Sequence, residues 1–379
     1  MDESPSRKLR IAFLGARGVV GTYSGIETYY EEVGSRLAAR GHEVTAYCRT
    51  YFTPAQGEYR GIRLRRLPCV RGKHIETLSH SLLGTLDVLP RRFDIVQYHA
   101  IGSAPLALVP RLLGTKTVVS VRGLDWQRAK WGGFARRSLQ FGEWASARCP
   151  SATCVVSGVL QDHYEQTHGR RPYMIPNAVV PAERRGIERL AEHGLGADDF
   201  LLFAGRISPE KGVHTLLEAL RPLAPLGKKL VIAGGTSYSD DYVQAVKRQA
   251  WDDVIFLGRV DRDYMQELYS NCWAFILPSV MEGLSIALLE ALSYGLCIVT
   301  TDIPENREVV GDTGLAFPVG DAEGLRSQLA RVLEDPELVR ERRAAAAARA
   351  ASWPDWDGVA ERTEDLYLRV LGVRPKVRA

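Results

Sequence analysis

No apolar run among the 379 residues approaches the roughly 20 needed to span a bilayer. An integral membrane protein is therefore not expected. The opening stretch, Met1 to Arg10, is polar and passes straight into a strand-like run, which does not read as a secretory signal. Six scattered cysteines (Cys48, Cys69, Cys149, Cys154, Cys272 and Cys297) make no CxxC pair and no disulfide framework. Five of them lie in or beside apolar segments and read as buried thiols of a cytosolic enzyme. There is no repeat of fixed period, and the only low-complexity run is Ala344 to Ala348. No DxD-type acidic cluster stands where it would hold a metal. Asp240-Asp241 and Asp252-Asp253 flank a helical stretch and read as solvated caps. Neither a metal nor another cofactor is expected.

What is present is ordinary for a soluble globular chain of two or three domains, 45% apolar and 25% charged. The net charge is only +4, but it is unevenly spread. Residues 1–180 hold 25 Lys and Arg against 14 Asp and Glu, a surplus of eleven; the remainder holds 24 against 31, a deficit of seven. A basic first half implies an anionic partner: nucleic acid, a phosphorylated acceptor or an acidic lipid surface. No DNA or RNA motif accompanies it, so nucleic acid is not expected.

Short apolar strands alternate with helical stretches along the whole chain, the pattern of an α/β protein with doubly wound parallel sheets. The first series has strands near 9–15, 43–48, 62–67, 94–99, 115–121, 152–156 and 172–175, with a helix near 26–40 ended by Gly41. Residues 177–197, with Pro181, Gly186, Gly194 and Gly196, read as an inter-domain connection. The second series has strands near 200–203, 229–233, 254–257, 273–277 and 297–301. One long helix is expected over 325–351, followed by an amphipathic segment from Trp353. The expected domains are 1–180, joined by the tail 353–379, and 181–352. Two Rossmann-like lobes place their strand C-termini toward one cleft, where such sheets bind ligands.

Two stretches of the second lobe carry the chemistry. In Gly205-Arg206-Ile207-Ser208-Pro209-Glu210-Lys211-Gly212, two cations sit on a turn between a strand and a helix N-terminus, where α/β sheets bind anions. Arg forks onto two phosphate oxygens and Lys supplies a compact charge. An isolated basic turn is more often merely solvated, and a second stretch changes that. In Pro278-Ser279-Val280-Met281-Glu282-Gly283-Leu284-Ser285, followed by Glu290, a strand again enters a loop and a helix with Ser285 as N-cap. A carboxylate accepts from two hydroxyls at once, which suits the vicinal diols of a sugar or ribose. The plainer alternative makes Glu282 a capping acid and Glu290 a surface charge. Glu290 stands among Leu288, Leu289, Ala291 and Leu292, however, and so needs partners.

Gly205-Arg206 with Lys211-Gly212, then Glu282 and Glu290 with seven residues between them, resemble the retaining GT-B glycosyltransferases of the large family 4 class. The resemblance covers nearly the whole chain and is most specific over 201–321. It implies that Arg206 and Lys211 hold the donor diphosphate, Glu282 the hydroxyls of the transferred sugar, and Glu290 the ribose. It also implies a base site near Gly258, Arg259 and Val260, and diphosphate contacts from Gly283, Leu284 and Ser285. On the first lobe it points to the loop Gly21 to Gly25, with Ser24-Gly25 where many members have two glycines. The expected activity is transfer of a hexose from a nucleotide diphosphate sugar, with retention and without a metal, to a glycan, lipid-linked or small-molecule acceptor. The basic first lobe suggests polysaccharide or glycoconjugate assembly, and a cytoplasmic protein that could work at the inner face of the membrane is expected. A nucleotide-sugar epimerase, or a nucleotide-sugar-binding protein that does not catalyse, is the alternative.

Three further features of the first lobe bear on the acceptor. Gly15, Gly18 and Gly21 do not make GxGxxG, and the second strand ends Tyr47-Cys48-Arg49 without an acid for a ribose, so a nicotinamide cofactor is not expected. His99 ends a strand and is expected to face the cleft with a catalytic or acceptor-contacting role, although a lone histidine is more often structural. Arg122 stands where many relatives carry histidine. A guanidinium cannot serve as a base, so it is expected to donate to a phosphate or an acceptor hydroxyl. The stretch from Leu124 to Trp144 mixes three Trp and two Phe with cations. It reads either as an interfacial helix on anionic lipid or as a core-facing helix with an Arg-rich outer side.

Overall fold

The computed structural model describes residues 7–20, 25–72, 75–127, 131–235 and 240–373. Contacts divide the chain into two units, residues 1–177 with 354–379, and residues 178–353.

The strands of the first unit are β1 (Arg10–Leu14), β2 (Glu43–Arg49), β3 (Glu58–Tyr59), β4 (Ile62–Leu67), β5 (Ile95–His99), β6 (Lys116–Val121), β7 (Ala152–Val155) and β8 (Tyr173–Met174). Among the described residues they form one sheet in the order β3-β4-β2-β1-β5-β6-β7-β8. Every pairing is parallel except the short β3 on β4. Parallel strands covered on both faces need near-continuous apolar runs, and Ile11, Ala12, Phe13 and Leu14 are all buried. The helix Gly25–Ala39 covers this sheet with Tyr29, Tyr30, Val33 and Leu37, a stripe at helical spacing.

The tail helix Trp356–Val370 packs on Gly25–Ala39 and completes the first unit. Asp355 caps it by accepting from the Gly358 N–H at 2.8 Å. The Tyr29 and Thr363 hydroxyls share a hydrogen bond at 3.1 Å, and the Tyr367 hydroxyl donates to Gln97 Oε1. Glu364 takes His42 at 3.2 Å and Arg40 at 2.9 Å.

The second unit has β9 (Phe200–Ala204), β10 (Lys229–Ala233), β11 (Val254–Gly258), β12 (Ala274–Leu277), β13 (Ile298–Thr301) and β14 (Leu315–Phe317). They lie in the order β11-β10-β9-β12-β13-β14, all parallel. Counted from β9 this is 3-2-1-4-5-6, the doubly wound order whose direction reverses between the first and fourth strands.

Two expectations need correction. The long helix over 325–351 is two helices, Ala322–Glu334 and Pro336–Ala351. Pro336 has no N–H to continue a ladder, and Asp335 restarts the helix by accepting from the Leu338 N–H at 3.0 Å. Of the six cysteines four are buried, Cys48, Cys154, Cys272 and Cys297, while Cys69 and Cys149 reach the surface in part.

Candidate functional site

In the second unit the loops leaving β9, β10, β11 and β12 are tied to one another through the main chain. Gly205 N–H donates to the Ala233 carbonyl and Ile207 N–H to that of Gly235, both at 3.0 Å. Gly234 N–H reaches the Gly258 carbonyl at 2.7 Å, and Val280 N–H that of Glu210 at 3.0 Å. Glycine is required where these loops touch. A Cβ on Gly234, whose φ is +155°, would fall 1.7 Å from the Gly205 carbonyl oxygen. One on Gly212, with φ +67°, would fall 2.1 Å from that of Pro278.

This contact between the loops after β9 and β12 sits where the strand order reverses, the place at which open α/β sheets bind ligands. It carries the side chains singled out from the sequence. Lys211, on the single turn Pro209–Lys211, makes an ion pair with Glu282, 71 residues away, through Nζ and Oε1. Both side chains are largely enclosed, 13% and 9% exposed. Arg206 lies part-exposed on the same β9 loop. Gly283 and Leu284 lead into Ser285, whose hydroxyl accepts from Leu288 N–H at 3.4 Å and starts the helix Ile286–Ser293. Gly258 has φ +66° at the end of β11, Val260 is buried, and Gly235 leaves room for the Arg259 side chain.

Glu290 lies inside the helix Ile286–Ser293, and its Oε2 accepts from the Tyr269 hydroxyl at 2.9 Å. Burial raises its carboxyl to about 7, against the pull of Tyr269 and of Arg262, which opens the helix after β11. Two residues went unnoticed in the sequence. Glu305, at the start of the helix Pro304–Val310, is close enough to Glu282 to feel its charge, and burial with that charge holds its carboxyl above the usual range. Asn306 is buried and donates to the hydroxyls of Thr300 and Thr301 at 2.9 and 3.0 Å, fixing the end of β13. The sequence signal available for both was Asp302-Ile303-Pro304-Glu305-Asn306, an acid and an amide beside a proline at a strand's end.

In the first unit the expected residues behave differently. His99 does not face solvent. Its ring is fully buried against Tyr30, Tyr29 and Phe13, with centroids 4.8, 5.1 and 5.9 Å away. Neither ring nitrogen has a hydrogen-bond partner among the described residues. Burial, then the charge of Arg122, keeps the imidazole neutral by pushing its pKa well below the ordinary value. Arg122 lies over the Tyr29 ring at 4.2 Å and donates to Asn177 Oδ1. Gly25 begins the helix Gly25–Ala39, while Ser24 lies outside the described residues. Glu27, buried in the first turn of that helix, accepts from Arg17 N–H at 3.1 Å.

The aromatic and basic stretch forms the helix Gly133–Arg148, and its aromatics do not enter the core. The buried positions are Gly142, Glu143, Ala145, Ser146 and Ala147, whereas Phe134 is 90% exposed and Phe141 and Trp144 are stacked outside. The helix does turn one side inward, but with small residues and Glu143, and its aromatics lie outside with Arg136, Arg137 and Arg148. A cavity of about 720 Å³ also lies in the first unit, lined by Arg111, Lys116, Arg170, Arg171 and Arg369 among others. It opens at the starts of β6, β7 and β8, the end of a parallel sheet that does not hold ligands, and contains none of the expected site residues.

Two doubly wound parallel-sheet units, with charged loops at the reversal point of the second, define an α/β protein of the GT-B class. Residues 24–181 match the family model Glycosyl transferase 4-like domain, and residues 189–351 match Glycosyl transferases group 1. The chain belongs to the family 4-like GT-B glycosyltransferases. It is similar to a glycogen synthase of Mycobacterium tuberculosis, 35% identical over 173 residues, which are 44% of this chain and 42% of that one. The chain thus spans less than half the length of that relative. In fold it is similar to a sucrose-phosphate synthase from Thermosynechococcus elongatus, with a TM-score of 0.82 and 19% identity over 96% of this chain and 100% of the other. It is also similar to Anabaena HepE in complex with UDP and glucose, with a TM-score of 0.77 and 18% identity over 94% and 99%.

Proposed function

We propose that the protein transfers a hexose from a nucleotide diphosphate sugar to a glycan, lipid-linked or small-molecule acceptor, with retention, in polysaccharide or glycoconjugate assembly. The observation that carries this reading is the Lys211–Glu282 pair at the reversal point of the second sheet. A paired cation and acid offer a diphosphate one partner and sugar hydroxyls the other. Lys211 then exchanges a carboxylate for a phosphate, and Glu282 turns to accept from sugar hydroxyls. Arg206 supplies the second cation, and the N–H groups around Gly283, Leu284 and Ser285 add neutral donors. Glu290 takes the ribose, with the base beside Gly258, Arg259 and Val260. The complex of Anabaena HepE with UDP and glucose supports a donor of this class.

In the reaction, the bond from the anomeric carbon to the diphosphate oxygen breaks as the acceptor oxygen bonds to that carbon on the same face. The acceptor's proton passes to the leaving phosphate oxygen. Arg206 and Lys211 stabilise the charge that grows there, so the chemistry proceeds in excess EDTA; complete loss that manganese restores would contradict this. His99, enclosed among Phe13, Tyr29 and Tyr30, takes a packing role in this reading rather than touching the sugar, and Arg122 donates to the acceptor.

The acceptor side of this reading includes a membrane. Among the described residues no helix is long and apolar enough to cross one. The helices Glu76–Val88, Leu108–Leu112 and Gly133–Arg148 are neighbours through the turn 101–107. They leave Leu82, Leu86, Leu112, Leu113, Phe134 and Phe141 exposed, together with Arg136, Arg137 and Arg148. Apolar side chains among cations suit an anionic bilayer surface carrying a lipid-linked acceptor.

A thermal-shift panel of nucleotides and nucleotide sugars, followed by assay of nucleoside diphosphate release, tests the function. A preferred ligand raises the midpoint by mass action, and slow release follows. A changed sugar without release would make the protein an epimerase, and binding without turnover would make it a binding protein.

A further inference from the structure

A side-chain cluster in the first unit has no part in sugar transfer as derived above. Glu143, buried on the helix Gly133–Arg148, is met by His163 and His168 from the helix Gly158–His168. The Nε2 atoms of both histidines lie 2.8 Å from the same carboxylate oxygen, Oε1. The other oxygen, Oε2, accepts from the indole N–H of Trp126 at 2.6 Å. One ligand atom from each of Glu143, His163 and His168 lies within 4.8 Å of the other two.

We propose that Glu143, His163 and His168 bind a zinc ion that fastens the helices Gly133–Arg148 and Gly158–His168 to each other. Two imidazole nitrogens and one carboxylate oxygen form a donor set that zinc takes readily. With metal–ligand bonds of about 2.0–2.2 Å in tetrahedral geometry, neighbouring ligand atoms sit only slightly farther apart than the 2.8 Å contacts here. A small rotation of either ring admits the ion. Trp126 acts from outside the ligand shell: by engaging Oε2 it turns Oε1 toward the two rings, as outer hydrogen bonds do at metal sites. Local structure presents the rings. Ser157 caps the helix by accepting from Leu160 N–H, Gly169 ends it in the left-handed region, and the His168 ring packs on Tyr164 at 5.2 Å. His168 is nearly enclosed and His163 is 29% exposed, so the cluster opens on one side. There an ion enters and a water fills the fourth position. The ligands all belong to the first unit and the proposed donor residues to the second. The role assigned to zinc is to stabilise the fold of the first unit.

The test is calorimetric titration of zinc chloride into the metal-depleted full chain. One equivalent is expected to bind and to raise the melting midpoint. His163→Gln, which alters the more exposed ring, should weaken zinc by more than about tenfold. Trp126→Phe should weaken it by about 10–100-fold, with the circular dichroism of both variants unchanged. Should the His163→Gln chain fail to fold, Trp126→Phe carries the test alone. Absence of saturable zinc binding, or equal affinity in the variants and the parent, would overturn the site and leave a hydrogen-bonded triad.

Discussion

Glu290 is the residue at which structure and proposed chemistry pull in opposite directions. A ribose is best held by a carboxylate, yet burial raises this group from 4.5 to about 7. In the unfolded chain it ionises near 4.5, so between that pH and about 7 the folded state keeps a proton that the unfolded state has released. The empty protein therefore loses stability as pH rises across this window, and the loss is complete above it. At about 1.4 kcal/mol per pH unit, the cost is on the order of 3 kcal/mol. Glu290→Gln should accordingly raise the melting midpoint of the empty protein above pH ~8 but not below pH ~4. Nucleotide affinity of the parent should fall as pH drops below about 7, because the protonated acid loses an acceptor; affinity independent of pH would separate Glu290 from the ribose.

The residues that were legible beforehand are those whose position follows from the chain itself. Lys211 and Glu282 each follow a strand directly, so a parallel sheet delivers both loops to the same edge. His99 also ends a strand, but the direction of its side chain depends on Tyr29 and Tyr30 from a helix, and no local pattern reports that. Tyr269 joins the site only through folding, from the helix Arg262–Asn271 onto Glu290. The Glu143 cluster was invisible for a related reason: His163 and His168 are five apart, off the helical repeat, and their partner sits on another helix.

At the scale of elements, the tail helix Trp356–Val370 is the clearest case of a segment that works away from its neighbours in sequence. Its Glu364 is held down to about 2, first by His42 and then by Arg40. A depressed carboxyl contributes stability above its unfolded value near 4.5 and loses it as pH falls toward about 2. Glu364→Gln is expected to destabilise the protein at neutral pH by on the order of 1–2 kcal/mol, less than the full shift implies because Arg40 reaches solvent. Near pH ~3 the difference from the parent should shrink, as denaturation midpoints at the two pH values would show. Strand and helix alternation in the sequence was enough to place most elements. The split at Asp335-Pro336 was missed because a run of alanine and arginine reads as continuous helix, and the proline that divides it is a single letter. The helix Gly133–Arg148 was ambiguous for a different reason: aromatic residues suit a core and a membrane surface equally until burial is known. Phe134→Ser with Phe141→Ser should reduce sedimentation with anionic vesicles by several-fold while leaving the unfolding free energy within about 1 kcal/mol of the parent, since exposed side chains contribute little to folding. Unchanged vesicle binding would remove that helix from the membrane surface.

For the whole molecule, the division of labour follows the charge. The first 180 residues carry the positive surplus and the exposed apolar helices, and the remainder is acidic overall yet gathers Arg206 and Lys211 on the loop after β9. Under the proposed function, a diphosphate in the second unit meets Arg206 and Lys211 as cations set against the net charge of their surroundings. Affinity then depends on these two side chains more than on the overall field. The most direct measurement is titration of the preferred nucleoside diphosphate onto the parent, Arg206→Ala and Lys211→Ala at one ionic strength. Each loss of a charge-assisted contact of about 1.5–3 kcal/mol should weaken binding by about 10–100-fold. Affinities in both variants within about twofold of the parent, against that expected loss, would contradict the assignment of the donor diphosphate to this site.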